Sequence, residues 1–146
     1  MREERFSMQY ERFDNTIVVR LDRGDEIKES LYRIAKQEEI FLATVMGIGA
    51  TDQVELAFFD SASQTYNTKT YNEPLEIVSL TGNITSKNYD PYLHLHIALG
   101  KQNYEVIGGH LNKAIISVTC ELFIQIIEAD VERKLDENIG INLMQF

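Results

Sequence analysis

One segment near the start of the chain repeats its apolar residues with a helical period. Within residues 25–39, positions i, i+4, i+7 and i+8 are the apolar residues Ile27, Leu31, Ile34 and Ala35. Acidic residues are concentrated at the N-terminal end, where the helix dipole favours negative charge. The pattern predicts one principal helix over residues 25–39. Its other face is typical of a solvated surface and carries Lys28, Glu29, Lys36 and Glu39.

Most of the remaining chain alternates between apolar and polar residues with a period of two, which is typical of β-strands. The runs cover residues 16–21, 41–49, 54–60, 66–71, 75–80, 92–99, 106–111 and 114–127. The tail, residues 131–146, can add a last strand. About seven to nine strands with one helix predict an α+β fold, built on a mostly antiparallel and barrel-like β-sheet.

Composition narrows the class of protein. The chain has 146 residues, of which 44% are hydrophobic and 25% charged, so we expect one soluble globular domain over residues 1–146. The formal net charge is −9. Non-specific nucleic-acid affinity comes mostly from Lys and Arg near phosphates, so this charge argues against nucleic acid and against anionic membranes as partners.

The single cysteine and the lack of an apolar segment long enough to span a membrane indicate the cellular compartment of the protein. Cys120 is the single cysteine, which excludes an intramolecular disulfide and favours the cytoplasm. Cys120 lies in a strand-like run, where a buried apolar role is more common than a reactive thiol. Residues 1–6 mix both charge signs and do not resemble a signal peptide. Residues 40–51, the longest uncharged stretch, are shorter than the roughly 18 to 20 apolar residues that span a bilayer.

The three histidines, all between positions 94 and 110, are the main functional signal. In a strand, His94 and His96 share one face, with Cα atoms about 6 to 7 Å apart. The turn-like composition of residues 100–104 can return the chain beside that strand. Gly108 and Gly109 would then allow a bulge or a close backbone approach, and His110 would join the other two imidazoles.

Three imidazoles without sulfur suit Zn²⁺, with Ni²⁺, Co²⁺ or Fe²⁺ as alternatives. Such a set leaves a coordination position open, which favours catalysis or ligand sensing over a closed structural site. The alternative is that the histidines form an ordinary polar strand face.

Two carboxylates lie within otherwise apolar strands. Glu76 and Glu121 are candidates for acid/base catalysis if they are buried, because burial raises the pKa of a carboxyl group. The alternative is that each faces water. The glycines form no phosphate-binding motif, and the serines and threonines show no nucleophile signature.

An ordered set of motifs resembles the plant and prokaryote conserved (PPC) domain family over roughly residues 6 to 146. The motifs cover residues 20–27, 47–50, 75–82, 93–96 and 108–111. The resemblance is to the bacterial and archaeal single-domain type, which lacks the AT-hook of plant members. It implies a compact β-rich domain that assembles as a homotrimer. It also implies a zinc site at His94, His96 and His110.

Three hypotheses of function follow. The leading one is a cytoplasmic, trimeric, zinc-binding protein with a regulatory or protein-interaction role, whose trimer surface would include rows around Phe58, Ile77 and Ile124. The second is a zinc-dependent lyase or hydrolase that acts on a small carbonyl or carboxylate metabolite, with Glu76 or Glu121 moving a proton. The third is a DNA-binding regulator, a description often given to this family.

Overall fold

The computed structural model describes residues 8–146, so the segment 1–6 considered above lies outside the described part. Within it, the chain forms one helix, α1 (Ile27–Gln37), and nine strands. The strands are β1 (Gln9–Phe13), β2 (Thr16–Asp22), β3 (Ala43–Asp60), β4 (Thr65–Tyr71), β5 (Leu75–Lys87), β6 (Asp90–Gly100), β7 (Val106–Ile126), β8 (Arg133–Asp136) and β9 (Ile141–Met144).

Helix α1 confirms the predicted helix and packs against β6 and β7. The apolar residues that recur with the helical period are fully buried, as the sequence pattern predicts. The Glu26 carboxylate caps the first turn by accepting the backbone N–H groups of Lys28 and Glu29 at 3.0 and 3.1 Å. The same carboxylate accepts the N–H of Ala114 at 3.2 Å, which ties the start of the helix to β7. Within residues 8–146, no helix has the length and apolar character needed to cross a bilayer.

The main sheet has seven strands in the order β1-β2-β7-β6-β5-β3-β4, and its strand pairs are antiparallel. A further pairing joins β7 to β3. The α+β fold on a mostly antiparallel sheet is therefore confirmed. The barrel-like closure expected from the sequence is not complete: the sheet is not a closed barrel, and within residues 8–146 its end strands are β1 and β4.

Several predicted strand boundaries were wrong because strands continue through glycines and bulges. Residues 41–49 and 54–60 form the single strand β3, with a register shift between Gly47 and Gly49. The two runs predicted in 106–127 likewise form one strand, β7. The tail forms a separate hairpin of two strands, and β1 was not predicted at all.

The sheet has one buried face and one partly exposed apolar face. Ile77 is 2% exposed and Ile124 is fully buried, so their assignment to a subunit surface was wrong. Their neighbours Val78 and Phe123 point outward instead, because side chains alternate along a strand. Phe58 is 73% exposed.

Candidate metal centre

The histidine cluster is built by two neighbouring strands. His94 and His96 lie on β6, and the antiparallel register places His110 of β7 directly opposite His96. The predicted return of the chain is therefore confirmed. The ring centroids of His94 and His96 are 5.2 Å apart, and that of His110 lies 5.6 Å from each.

Glycines let the two strands approach closely at this point. A Cβ atom at Gly108 would overlap the carbonyl oxygen of Ile97 on β6, and one at Gly109 would lie 3.1 Å from the carbonyl oxygen of Ala57 on β3. The β6–β7 register is regular from His96 to Gly100. Of the two roles that the sequence allowed for this glycine pair, close backbone approach is the observed one.

The three imidazoles can hold a metal ion together. One ligating nitrogen from each histidine lies within 4.8 Å of the others. Nitrogens at this separation can share a single metal ion, which imidazole nitrogens bind at roughly 2.0 to 2.1 Å. Among residues 8–146, these histidines form the one group of at least three potential metal-ligating side chains. The group includes no thiol or carboxylate.

The electrostatic surroundings keep two of these ligands neutral. Burial, followed by the nearby charges of Arg133, His96 and Lys28, lowers the pKa of His94. Burial, followed by His94, Lys28 and His96, lowers the pKa of His110 to about 4. Near pH 7 both imidazoles therefore carry free lone pairs, which is the form that binds metal.

A cleft of about 460 Å³ opens beside the cluster. Its walls come from α1, β4, β6 and β7, and are formed by Lys28, Glu29, Tyr32, Tyr66, Pro91, Tyr92, Leu93 and His110. The ring of Tyr66 lies 5.2 Å from that of His110. Lys28, on the helix face expected to be solvated, has a half-buried side chain that lines this cleft. No local signal reveals this, since the packing of α1 on the sheet decides it.

Arg133 is a second residue that sequence reasoning missed. It is 9% exposed and donates hydrogen bonds to Thr85, Asn83 and the carbonyl of Asn142. Its guanidinium also lies 4.9 Å from the centre of the Tyr92 ring, which lines the cleft. Arg133 therefore ties the β8–β9 hairpin to β5 and supports a wall of the cleft.

The two glutamates predicted as candidates for acid/base catalysis lie outside the cleft beside the histidine cluster. Glu76 and Glu121 are both exposed, and together they line a shallow groove on the partly exposed apolar face. Neither lines the cleft that contains His110. The structure thus brings the three predicted histidines together but places the two glutamates apart from them.

With this geometry established, the chain can be compared with known proteins. The model of the Plants and Prokaryotes Conserved (PCC) domain, the PPC family expected from the motifs, matches residues 8–128. The chain belongs to this family. No functionally curated protein matches it.

Two solved structures resemble the chain over nearly its whole length. A candidate DNA-binding protein from Bacteroides thetaiotaomicron is 33% identical, with 95% of this chain and 97% of that one covered and a TM-score of 0.93. A metal-containing protein from Archaeoglobus fulgidus is 31% identical, with coverages of 99% and 100% and a TM-score of 0.85.

A third solved structure is related by fold alone. Acetolactate decarboxylase from Bacillus subtilis is 15% identical, with a TM-score of 0.58. The match covers 80% of this chain and 54% of the decarboxylase. At this identity the likeness does not transfer chemistry.

Proposed function

We propose that this protein is a homotrimeric, zinc-binding member of the PPC family that works in the cytoplasm, with a regulatory or protein-interaction role. The convergence of His94, His96 and His110 carries the proposal. The Archaeoglobus relative, described as metal-containing, supports it. The buried, unpaired Cys120 agrees with a reducing compartment.

Zinc is favoured among the candidate metals by the ligand chemistry. Neutral imidazole is a common zinc ligand, and tetrahedral Zn²⁺ would keep one position for water or another ligand after three histidines bind. Adding Zn²⁺ to metal-free protein should raise the midpoint of thermal unfolding, because a ligand that binds only the folded state stabilises it. The triple variant with all three histidines changed to Ala should show no such rise. An equal rise in both proteins would contradict the assignment.

The homotrimer is supported by an exposed apolar surface on three adjacent strands. This surface, called here the apolar face, consists of Met46, Ile48, Val78, Val118 and Phe123, which are 48–69% exposed. Met46 and Phe123 are paired between β3 and β7. Contiguous apolar patches of this kind mark interaction sites in soluble proteins. A second and third copy of the chain are the occupants we propose for this face.

A charge placed in the apolar face tests the assembly. Val118 is 69% exposed, so Val118→Glu leaves the core intact but introduces a carboxylate into the interface. Sedimentation equilibrium should give a trimer for the wild type and a monomer for Val118→Glu. Tyr104→Glu is the control, because Tyr104 is 93% exposed in the β6–β7 loop and outside the apolar face. A wild-type monomer would overturn the proposal.

A zinc-dependent lyase or hydrolase remains the second candidate, and the cleft beside His110 favours it. The substrate class would be a small carbonyl or carboxylate metabolite. In one chain Glu76 and Glu121 do not line this cleft, so either could act there only from a neighbouring subunit. Turnover of a substrate found by screening should disappear in His96→Ala. Turnover that survives in this variant would exclude zinc chemistry at the site.

DNA binding is the third candidate, and the description of the Bacteroides relative favours it. The net charge of −9 opposes it, because phosphate neutralisation by Lys and Arg dominates such binding. A gel-shift titration at low salt should show no complex. A complex whose affinity falls steeply as salt rises would support DNA binding instead.

A further inference from the structure

We propose that the cleft beside the histidine cluster is a binding site for a small aromatic carboxylate, and that Lys28 is the residue that recognises its negative charge. The proposal rests on the metal site proposed above, because the cleft is bounded by one of the three ligands, His110. It adds the chemical class of the ligand and a residue that belongs to no motif in the sequence.

Lys28 is a cation that has no counter-ion in the part of the chain that the structure describes. Its side chain is half-buried, and within residues 8–146 no carboxylate lies within ion-pair distance of it. The other charged residue of the cleft, Glu29, is paired with Arg33 at 3.5 Å. An ammonium group that lines a cleft without a partner is available to an anionic ligand, with which it would form a charge-assisted hydrogen bond.

The position of Lys28 also fits a ligand that reaches the metal. Lys28 lines the same cleft as His110, one of the three proposed metal ligands. A bound metal ion would add positive charge at the same end of the cleft. The two cations would together attract a carboxylate.

The remaining walls favour an aromatic body. Three tyrosine rings, Pro91 and Leu93 surround the cleft, and their faces and edges suit a flat apolar group. The Tyr32 hydroxyl already donates to the Asp90 carboxylate at 2.9 Å. The Tyr66 hydroxyl makes no hydrogen bond within the described residues and is free to donate to a ligand oxygen. A volume of about 460 Å³ lies in the usual range for small-molecule sites, roughly 300 to 1,000 Å³.

The charge balance favours a monoanion over a phosphate dianion. Among the described residues, Lys28 is the one cation that lines the cleft, and the Glu29 carboxylate on the same wall would repel a second negative charge. In the metal-free cleft, a single carboxylate matches the one ammonium group without leaving excess charge. A phosphate site normally gathers several backbone N–H groups or an Arg, and none of the lining side chains is an Arg.

Calorimetric titration with benzoate tests the site without requiring a known reaction. We would titrate wild-type protein, loaded with zinc and separately stripped of metal, and compare Lys28→Met and Lys28→Arg. Lys113→Met is the matched control, because Lys113 is exposed on β7 and does not line the cleft. Benzamide, which has the same ring without the charge, is the ligand control. The metal content of every sample is measured in parallel.

The expected result is benzoate binding that weakens at least about tenfold in Lys28→Met, the effect of losing one charge-assisted hydrogen bond. Lys28→Arg and Lys113→Met should bind as the wild type does, and benzamide should bind at least about tenfold more weakly than benzoate. Unchanged benzoate affinity in Lys28→Met, or no benzoate binding by protein that holds one metal per chain, would overturn the proposal. If the wild type holds no metal, the zinc assignment fails, and the metal-free titrations still decide the role of Lys28.

Discussion

His96 and His110 face each other across adjacent antiparallel strands, with ring centroids 5.6 Å apart. This pairing brings together potential metal ligands that are 14 positions apart in the chain. The geometry depends on how closely β6 and β7 approach, and therefore on the glycines of β7.

Gly108→Ala should weaken metal binding more than Gly109→Ala does. The new Cβ at position 108 would overlap the Ile97 carbonyl oxygen, which must push β7 away from β6 and separate His110 from His96. At position 109 the nearest atom is 3.1 Å away, so a small shift accommodates the methyl group. Zinc competition with a chromophoric chelator measures both affinities. Equal affinities in the two variants would contradict this explanation of the glycine pair.

Arg133→Met should lower the free energy of unfolding by about 2 to 3 kcal/mol, because it removes buried charge-assisted hydrogen bonds and leaves Thr85 and Asn83 without their partner. Guanidinium titration of the metal-free protein measures the change. Lys134→Met is the control, because Lys134 is the next residue on the same strand and its side chain is exposed. A loss of the same size in both variants would argue against the buried network.

The stability of the metal-free protein should depend on pH through His110. Its pKa falls from 6.5 to about 4 on folding, so between these values the unfolded chain binds a proton that the folded chain does not. The stabilising effect of the neutral imidazole is therefore complete above pH 6.5 and is lost as the pH falls towards 4. Between pH 7 and pH 5, the wild type should lose more unfolding free energy than His110→Gln. Parallel losses in the two proteins would show that His110 does not contribute.

Cys120 should be unreactive in the folded protein. It is fully buried, and burial, followed by the charge of Glu121, raises the pKa of its thiol to about 12. The reactive thiolate is therefore scarce at pH 8. A thiol reagent should modify the native protein far more slowly than protein in guanidinium. Rapid modification of the native state would contradict the buried, apolar role expected from the sequence.

The local patterns of the sequence were sufficient for the helix and for the histidine cluster. The helical period depends only on near neighbours, and the alternation around His94 and His96 fixes which side chains share a face. The return of His110 needed only a short turn between two adjacent strands. These features are local, so the sequence alone could predict them.

The sequence alone could not predict features that depend on packing between residues far apart in the chain. Glycines at positions 47 and 49 resembled a strand end, but β3 continues through them because the neighbouring strand β7 approaches closely there. Lys28 resembled any exposed helical lysine until the helix was placed on the sheet. Val78 and Ser79 are both exposed because a register shift in the β5–β6 pairing interrupts the alternation there.

The most direct test of the metal centre is the metal content per chain of natively purified protein. The measurement compares the wild type with the triple variant in which His94, His96 and His110 are changed to Ala. If the three histidines bind zinc, the wild type should hold close to one equivalent of zinc per chain and the variant close to none. Equal metal content in the two proteins, or none in the wild type after loading with zinc, would contradict the metal centre and leave the three histidines as an ordinary polar strand face.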